Sequence, residues 1–268
     1  MIDSHTHSEY SADSVMPLDL LIQTAVSLKL DYLAVTDHLD RDFLFCENPK
    51  PVPQLDIAAY AKAVSAAKIK YAGQIKLAFG IECGYSRQTE KMCRDELSRY
   101  EYDIDLIINS VHTVENQDVY VESYYDGKTK DEIFLPYIRA IRESLDIDMP
   151  YDIVGHIGYI ARKAPFQFKY ADYDGLFDDI FRKMIEKGKC LEINSHVKTA
   201  ETDFFPGADL IKRYRELGGE LITFSSDAHQ PTRVAEKYSL VAKTAKELGF
   251  NFFACYLKHK PEMYPIVF

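Results

Sequence analysis

Two histidines near the amino terminus are spaced so that both can bind one metal ion. The chain begins MIDSHTH, so His5 and His7 are separated by a single residue. In a β-strand the side chains alternate between two faces, and residues i and i+2 therefore point the same way. Neutral imidazole is a common ligand of zinc, manganese and iron. The pair predicts one part of a metal site, although an HxH pattern is a weak signal by itself.

Most of the other histidines follow short apolar segments that read as strands. Each segment ends in a polar group, in "TDH", "GIE", "SVH", "IVGH", "EINS" and "SSDAH". These groups supply the candidates Asp37, His38, Glu82, His112, His156, Asn194, Asp227 and His229. Six of the eight histidines thus lie at predicted strand ends, and only His196 and His259 are left over. This joint distribution indicates a shared site more strongly than any one tripeptide does.

The number of imidazoles and carboxylates exceeds the four ligands that one tetrahedral ion needs. The set therefore predicts two or three divalent ions, with zinc, manganese and iron as the suitable metals. A carboxylate can bind one ion through each of its oxygens, and Glu82 is the candidate for such a bridge.

The segments that must position these residues alternate between strand-like and helix-like patterns. After the first residues, the strand-like segments are "DYLAVTDH", "IKLAFGIEC", "DIDLIINSVH", "YDIVGHIGY", "CLEINS" and "ELITFSSDAH". Helices are expected over 18–29, 56–72, 130–145, 174–187, 207–217 and 234–248, before an apolar finish at "FNFFACYL". Such alternation predicts repeated βα units in one α/β domain over residues 1–268. A barrel would bring the strand ends together on one face, although periodicity alone does not distinguish a barrel from an open doubly wound sheet.

Composition limits the classes of function. The chain of 268 residues has 42 acidic and 32 basic residues, a net charge of −10 that disfavours a nucleic-acid partner. No apolar run is long enough to span a membrane and no secretory signal is present, so a cytoplasmic location is expected. The odd number of scattered cysteines predicts buried, reduced thiols rather than disulfides, at Cys46, Cys83, Cys93, Cys190 and Cys255.

Together the motifs resemble those of the PHP (polymerase and histidinol phosphatase) family, specifically its histidinol-phosphatase branch. The matching segments, in the family's order, are "DSHTHSEYSADS", "LAVTDH", "GIE", "NSVH", "DIVGHIGYIAR", "LEINS" and "SSDAH". The resemblance implies a distorted (β/α)₇ barrel, similar to a TIM barrel, around up to three divalent ions. It also implies a phosphatase that converts L-histidinol phosphate to L-histidinol and phosphate in histidine biosynthesis.

The resemblance also implies a ligand set for each ion. The first ion would bind His5, His7, Glu82 and Asp227. The second ion would bind Glu82, His112 and His156. The third ion would bind His38 and His229. Many family members supply a further histidine to the third site, and Asp13 in "SADS" is the candidate here. This departure leaves the identity and affinity of the third ion open, although an oxygen ligand suits all three metals. Asp37 is expected to orient a neighbour or a water rather than to bind metal.

Three further residues are candidates for contact with the substrate. Arg162 in "GHIGYIAR" matches a position at which the histidinol-phosphatase branch binds the substrate phosphate, and a planar guanidinium suits phosphate oxygens. Lys198 in "INSHVK" is either a second phosphate contact or a solvated lysine. Asn194 either positions water or substrate or satisfies backbone groups.

The expected reaction is the hydrolysis of a small-molecule phosphate ester. Two ions bridged by Glu82 would activate a water molecule for attack on phosphorus, while Arg162 would neutralise charge on the phosphate oxygens. The departing alcohol needs a proton, and Asp13, His38 and His229 are unranked candidates to donate it.

Three other functions are consistent with parts of the pattern. One is a PHP phosphoesterase that acts on a nucleotide or another small phosphate. A second is a metal-dependent amidohydrolase, which also begins with HxH but usually bridges its ions with a lysine, whereas the third strand here ends in Glu82. The third is an inactive scaffold module, and such a module would be expected to lack some of the metal ligands. The sequence does not indicate an oligomeric state.

Overall fold

Parallel strands form the central sheet of the protein. The structure, a computed structural model, describes residues 1–46, 53–101, 103–197 and 203–268. Within these ranges seven strands pair side by side in chain order. They are β1 (Ile2–Asp3), β2 (Tyr32–Leu39), β3 (Lys76–Gly84), β4 (Leu106–Ser110), β5 (Ile153–Val154), β6 (Cys190–Asn194) and β7 (Ile222–Ser225). The strand-like segments in the sequence correspond to these seven strands.

The sheet curls until its first and last strands meet. Beyond β1 the His7 N–H donates to the Ala228 carbonyl oxygen at 2.9 Å, and the Asp227 N–H donates to the His5 carbonyl oxygen at 2.8 Å. These bonds join the extension of β1 to that of β7. The sheet is therefore a nearly closed barrel, and the expected (β/α)₇ barrel is confirmed over an open doubly wound sheet.

Helices follow most of the strands and cover the barrel. Within the described ranges they are α1 (Leu18–Ser27), α2 (Ile57–Lys70), α3 (Glu90–Leu97), α4 (Lys130–Ser144), α5 (Asp174–Glu186), α6 (Ala208–Glu216) and α7 (Tyr238–Glu247). The sequence predicted all of them except α3, in which only Cys93 and Leu97 are buried. The last helix begins later than expected because Ala235 and Lys237 have positive φ angles of 55° and 60°. Among the described residues, no helix is both long and apolar enough to cross a bilayer.

The strands and the inner faces of the helices share a hydrophobic core. Its buried side chains form a cluster that extends from Ile2 to Ile266. The five cysteines are buried and unpaired, as expected. Burial of so much apolar surface is the main stabilising contribution to such a fold, and it provides a rigid support for the polar strand ends.

The apolar carboxyl-terminal segment forms an antiparallel hairpin outside the barrel sheet. Its strands are β8 (Phe252–Leu257) and β9 (Lys260–Pro265). Lys258 and His259 form the turn with φ angles of 52° and 60°, as the favoured two-residue hairpin turns require. The His259 N–H donates to the carbonyl oxygen of Asp105, which precedes β4. The hairpin turn therefore lies at the amino-terminal ends of the strands, away from the strand ends that carry the predicted site.

Candidate metal centre

The extension of β1 and the ends of β3 and β7 bring four predicted ligands together. His5 Nε2 and His7 Nε2 lie 3.0 Å apart, and both side chains are fully buried. Glu82 Oε2 lies 3.0 Å from His5 Nε2, and Asp227 Oδ1 lies 3.2 Å from His7 Nε2. A tetrahedral zinc ion with bonds of about 2.0–2.1 Å holds its ligand atoms roughly 3.3 Å apart. The four side chains therefore have the spacing of a metal-binding set.

A second set meets the other oxygen of the same glutamate. Glu82 Oε1 lies 3.1 Å from His112 Nε2 and 2.9 Å from His156 Nε2. The two imidazole nitrogens are 3.3 Å apart. Glu82, 1% exposed, therefore directs one oxygen towards each of two imidazole sets, which is the arrangement of a bridging carboxylate.

The third set lies at the mouth of the site. Asp13 Oδ2 is 3.1 Å from His229 Nε2 and 3.6 Å from His38 Nε2. The rings of His38 and His229 both stack on His7, with centroids 4.2 Å away. The Asp13 side chain is 59% exposed, so this set is the one most open to solvent.

Several atoms of the cluster are buried, and their short contacts within the cluster lack the geometry of hydrogen bonds. These atoms include His38 Nδ1, Glu82 Oε2 and His229 Nε2. A buried polar atom that makes no hydrogen bond costs about 1–3 kcal/mol, and divalent cations held between these atoms would remove that cost. Imidazole and carboxylate donors suit zinc, manganese or iron. The residues present therefore fit divalent ions.

Glu82 and His7 have the charge states that metal binding needs. Burial raises the pKa of Glu82, but the charges of His5, His38 and His112 lower it well below the usual glutamate value. Burial, together with the nearby His229 and His38, lowers the pKa of His7 to about 3. Near neutral pH the bridging glutamate is therefore ionised and His7 is neutral. The pKa values of His5, His38 and His112 are instead raised, because nearby carboxylates outweigh the opposing effect of burial. A metal ion that bound to these three imidazoles would displace their protons.

Two carboxylates that contact the predicted ligands were not predicted from the sequence. Glu192 Oε1 accepts the Nδ1–H of His5 at 2.6 Å and the hydroxyl of Ser225 at 2.6 Å. Asp40 lies between two ligands, with its oxygens 3.2 Å from His38 Nδ1 and 3.3 Å from His112 Nδ1. The sequence holds a signal for Glu192, since it shares a strand face with the candidate Asn194 two residues later.

Asp37 lies behind the ligand cluster and is bound by two serines. It accepts hydrogen bonds from the N–H of Ser8 at 2.7 Å and from the hydroxyls of Ser8 and Ser11, each at 2.6 Å. Ser11 Oγ in turn lies 3.0 Å from His7 Nδ1. The carboxylate is thus placed to orient His7 through Ser11.

Arg162 ends a short 3₁₀ turn, Tyr159–Arg162, that follows the predicted ligand His156. Gly158 starts this turn with a φ of 113°, and a Cβ there would lie 2.9 Å from the ring of Phe205. Both features require glycine. The guanidinium lies over the Tyr159 ring, 4.6 Å from its centroid.

The Arg162 side chain reaches into the cluster. Its Nη2 lies 3.1 Å from Asp227 Oδ2, and Asn194 Nδ2 lies 3.3 Å from the same oxygen. His196, one of the two histidines left over, also belongs here, because its Nδ1 lies 2.8 Å from the carbonyl oxygen of Asp227. Lys198 lies outside the described residues.

All three sets open into one cavity of about 690 Å³. Metal-ligand candidates form one part of its lining, and aromatic and charged side chains form the rest. The latter include Phe43, Asp118, Tyr120, Tyr159, Arg162 and Lys163. The cavity is large enough for a small organic molecule.

The protein is a parallel seven-stranded barrel. Histidines and carboxylates cluster at its strand ends in groups that could hold metal ions, which places it in the class of barrel proteins with a candidate metal centre. Residues 3–196 match the model of the PHP domain, and the chain belongs to that family. The family expected from the sequence motifs is therefore confirmed.

Similar proteins in the family have a named activity. The histidinol-phosphatase of Lactococcus lactis subsp. lactis is 27% identical over 260 residues, which cover 95% of this chain and 94% of the relative. The "Probable histidinol-phosphatase" of Clostridium acetobutylicum is 26% identical, over 94% of this chain and 95% of the relative. A crystal structure of the Lactococcus lactis histidinol phosphate phosphatase, with zinc, L-histidinol and phosphate, has a TM-score of 0.88 at 26% identity and covers 97% of this chain and 98% of that one.

Proposed function

We propose that this protein is a metal-dependent phosphatase that hydrolyses L-histidinol phosphate to L-histidinol and phosphate, as a step of histidine biosynthesis. The observation that carries the proposal is the position of Glu82, whose two oxygens face separate imidazole sets at 2.9–3.1 Å. Similarity to histidinol-phosphatases over almost the whole chain supports this choice of substrate.

Two to three divalent ions, of zinc, manganese or iron, would be held by the three sets. His5, His7, Glu82 and Asp227 would hold the first ion, Glu82, His112 and His156 the second, and Asp13, His38 and His229 the third. The zinc in the related crystal structure supports a metal of this type. When bound, such ions supply an activated water and neutralise charge on the phosphate.

The side chains around the ions would hold the ester. Arg162, now paired with Asp227, presents a charged fork to non-bridging phosphate oxygens, which favour bidentate hydrogen bonds. Asn194 is fully buried beside it and donates its amide to Asp227 Oδ2, so it would help to position the substrate through that carboxylate. Lys198 would add a second cationic contact to the phosphate.

Protonation of the leaving alcohol is assigned to the set at the cavity mouth. Asp13, His38 and His229 all line the cavity, and Asp13 lies within 3.6 Å of both rings. This role applies when no third ion is bound: a proton shared by Asp13 and the two imidazoles can then pass to the ester oxygen as the bond to phosphorus breaks. General acid catalysis of this kind typically contributes about 10²–10⁴-fold.

The proposed partner is a small-molecule phosphate ester. A net charge of −10 opposes binding to nucleic acid, and a biosynthetic role is consistent with a cytoplasmic location.

A phosphatase panel with measured metal content tests the proposal. Zinc-, manganese- and iron-loaded protein is expected to release phosphate from L-histidinol phosphate far faster than from nucleoside monophosphates. Equal or reversed rates would assign the protein to another phosphoesterase of the family. Hydrolysis of amide substrates but not of esters would favour an amidohydrolase, and full metal content without turnover would favour a scaffold.

A further inference from the structure

Asp118 lines the substrate cavity next to the metal centre. It belongs to a short antiparallel ladder in which it pairs with Thr113, the residue after the ligand His112. The next residue, Val119, donates its N–H to the His112 carbonyl oxygen at 3.1 Å. The backbone thus fixes Asp118 relative to His112.

One carboxylate oxygen of Asp118 accepts a hydrogen bond, and the other is free to accept one. Its Oδ1 accepts the N–H of Tyr120 at 2.7 Å, which fixes the orientation of the carboxylate. Within the described part of the chain, Asp118 Oδ2 has no hydrogen-bond partner and the side chain makes no ion pair. Burial raises the pKa of Asp118 above the usual aspartate value, although the N–H of Tyr120 and the charge of His112 oppose this effect.

The other acidic groups of the cavity are already paired. Both oxygens of Asp40 contact ligand imidazoles, and Asp13 contacts His38 and His229. Asp227 contacts Arg162. Among the described residues that line the cavity, Asp118 is therefore the carboxylate that can accept a cation from a bound molecule without breaking an existing pair.

We infer that Asp118 binds the ammonium group of the amino-alcohol half of the substrate. The inference rests on the proposed function. In L-histidinol phosphate the ammonium is on the carbon next to the CH₂–O–P group, so a phosphate at the metal centre places this cation a few ångströms away. Tyr120 and Phe43 line the same cavity and give the imidazole of the substrate an aromatic surface.

The test compares two esters that differ only in the ammonium group. These are L-histidinol phosphate and its deamino analogue, 3-(imidazol-4-yl)propyl phosphate. Asp118→Asn keeps the acceptor for Tyr120 but removes the charge. Because a hydrogen bond to a charged group is worth about 1.5–3 kcal/mol, the variant is expected to lose about 10- to 100-fold more kcat/KM on L-histidinol phosphate than on the analogue. Asp126→Asn, the same change at an exposed side chain eight positions later, is the matched control and should leave the ratio unchanged.

A loss of the same size on both esters would overturn the role of Asp118. If metal-loaded wild-type protein released phosphate from neither ester, the proposed function would be wrong. The role of Asp118 would then be tested by calorimetric titration of L-histidinol into the wild type and into Asp118→Asn. Weaker binding to the variant would support the cation site, and equal binding would overturn it.

Discussion

The Nδ1–H of His5 donates to Glu192 Oε1 at 2.6 Å, so Nε2 is the ring nitrogen that faces Glu82 at the centre of the cluster. Glu192 is fully buried and is itself fixed by Ser225. A histidine that binds metal commonly donates its other N–H to a carboxylate in this way, which sets the tautomer and the ring orientation. We therefore expect Glu192 to position His5 in the first predicted metal-binding set.

Loss of the charge at Glu192 is expected to weaken the first metal site. Glu192→Gln keeps the size of the side chain but makes a weaker bond to His5, and we expect about 10- to 100-fold lower affinity for zinc. Competition with a chromophoric chelator measures the zinc affinity. Ser225→Ala removes only a support of Glu192 and should have a smaller effect, and Glu220→Gln, an exposed change, should have none. Unchanged zinc affinity in Glu192→Gln would contradict the positioning role.

The bridging position of Glu82 predicts how many ions each variant loses. Glu82→Gln should lose ions from two sets, whereas His156→Asn should lose only the ion of the second set. Mass spectrometry under native conditions counts the bound ions. Because the ions are expected to supply several kcal/mol to the transition state, kcat for Glu82→Gln should fall by about 10³-fold or more. Loss of one ion from both variants would show that Glu82 does not bridge.

The strand ends were predictable from the sequence because polar groups directly follow buried apolar segments, as at "LAVTDH" and "SSDAH". The barrel brings those ends together, so His38 and His229 could be placed in one cluster before any geometry was known. Glu192 could not be assigned to His5 in this way, because it lies inside β6 (Cys190–Asn194) rather than at the end of that strand. Their contact depends on the curvature that joins β1 to β7.

Other features lacked a local signal. Helix α3 buries too few apolar side chains to show a helical period. The carboxyl-terminal hairpin was predicted only as an apolar segment, because its turn at Lys258 and His259 contains neither glycine nor asparagine. His196 follows Asn194 on the loop after β6, and its approach to Asp227 depends on how that loop folds over the cluster.

Arg162 is expected to act on the phosphate. Arg162→Ala should raise KM for phosphate esters, or lower kcat/KM, by about 10- to 100-fold, since charge-assisted hydrogen bonds contribute about 1.5–3 kcal/mol. Arg162→Lys should recover part of the loss because it keeps the charge but not the planar fork. Steady-state kinetics with two different phosphate esters measures both effects. Arg182→Ala, at a side chain 62% exposed, is the control, and unchanged kinetics in Arg162→Ala would remove this residue from the site.

His259 makes the stability of the hairpin depend on pH. Its Nδ1 lies 2.9 Å from Asp152 Oδ2, and this bond raises the pKa of His259 against the opposing effect of burial, with further help from Asp105 and Glu101. Because the pKa of His259 is higher in the folded than in the unfolded protein, the pair contributes its full stability below the unfolded-state pKa of about 6.5. This contribution is lost as the pH rises through the folded-state pKa. For a partly exposed pair the amount is at most about 1 kcal/mol. In the variant His259→Asn, asparagine suits the positive φ of the turn but does not titrate. Urea unfolding at saturating zinc measures the free energy of unfolding of both proteins. The wild type should be the more stable protein at low pH and should lose this difference above about pH 6.5. A difference between the two proteins that stays constant with pH would mean that the pair contributes no charge interaction.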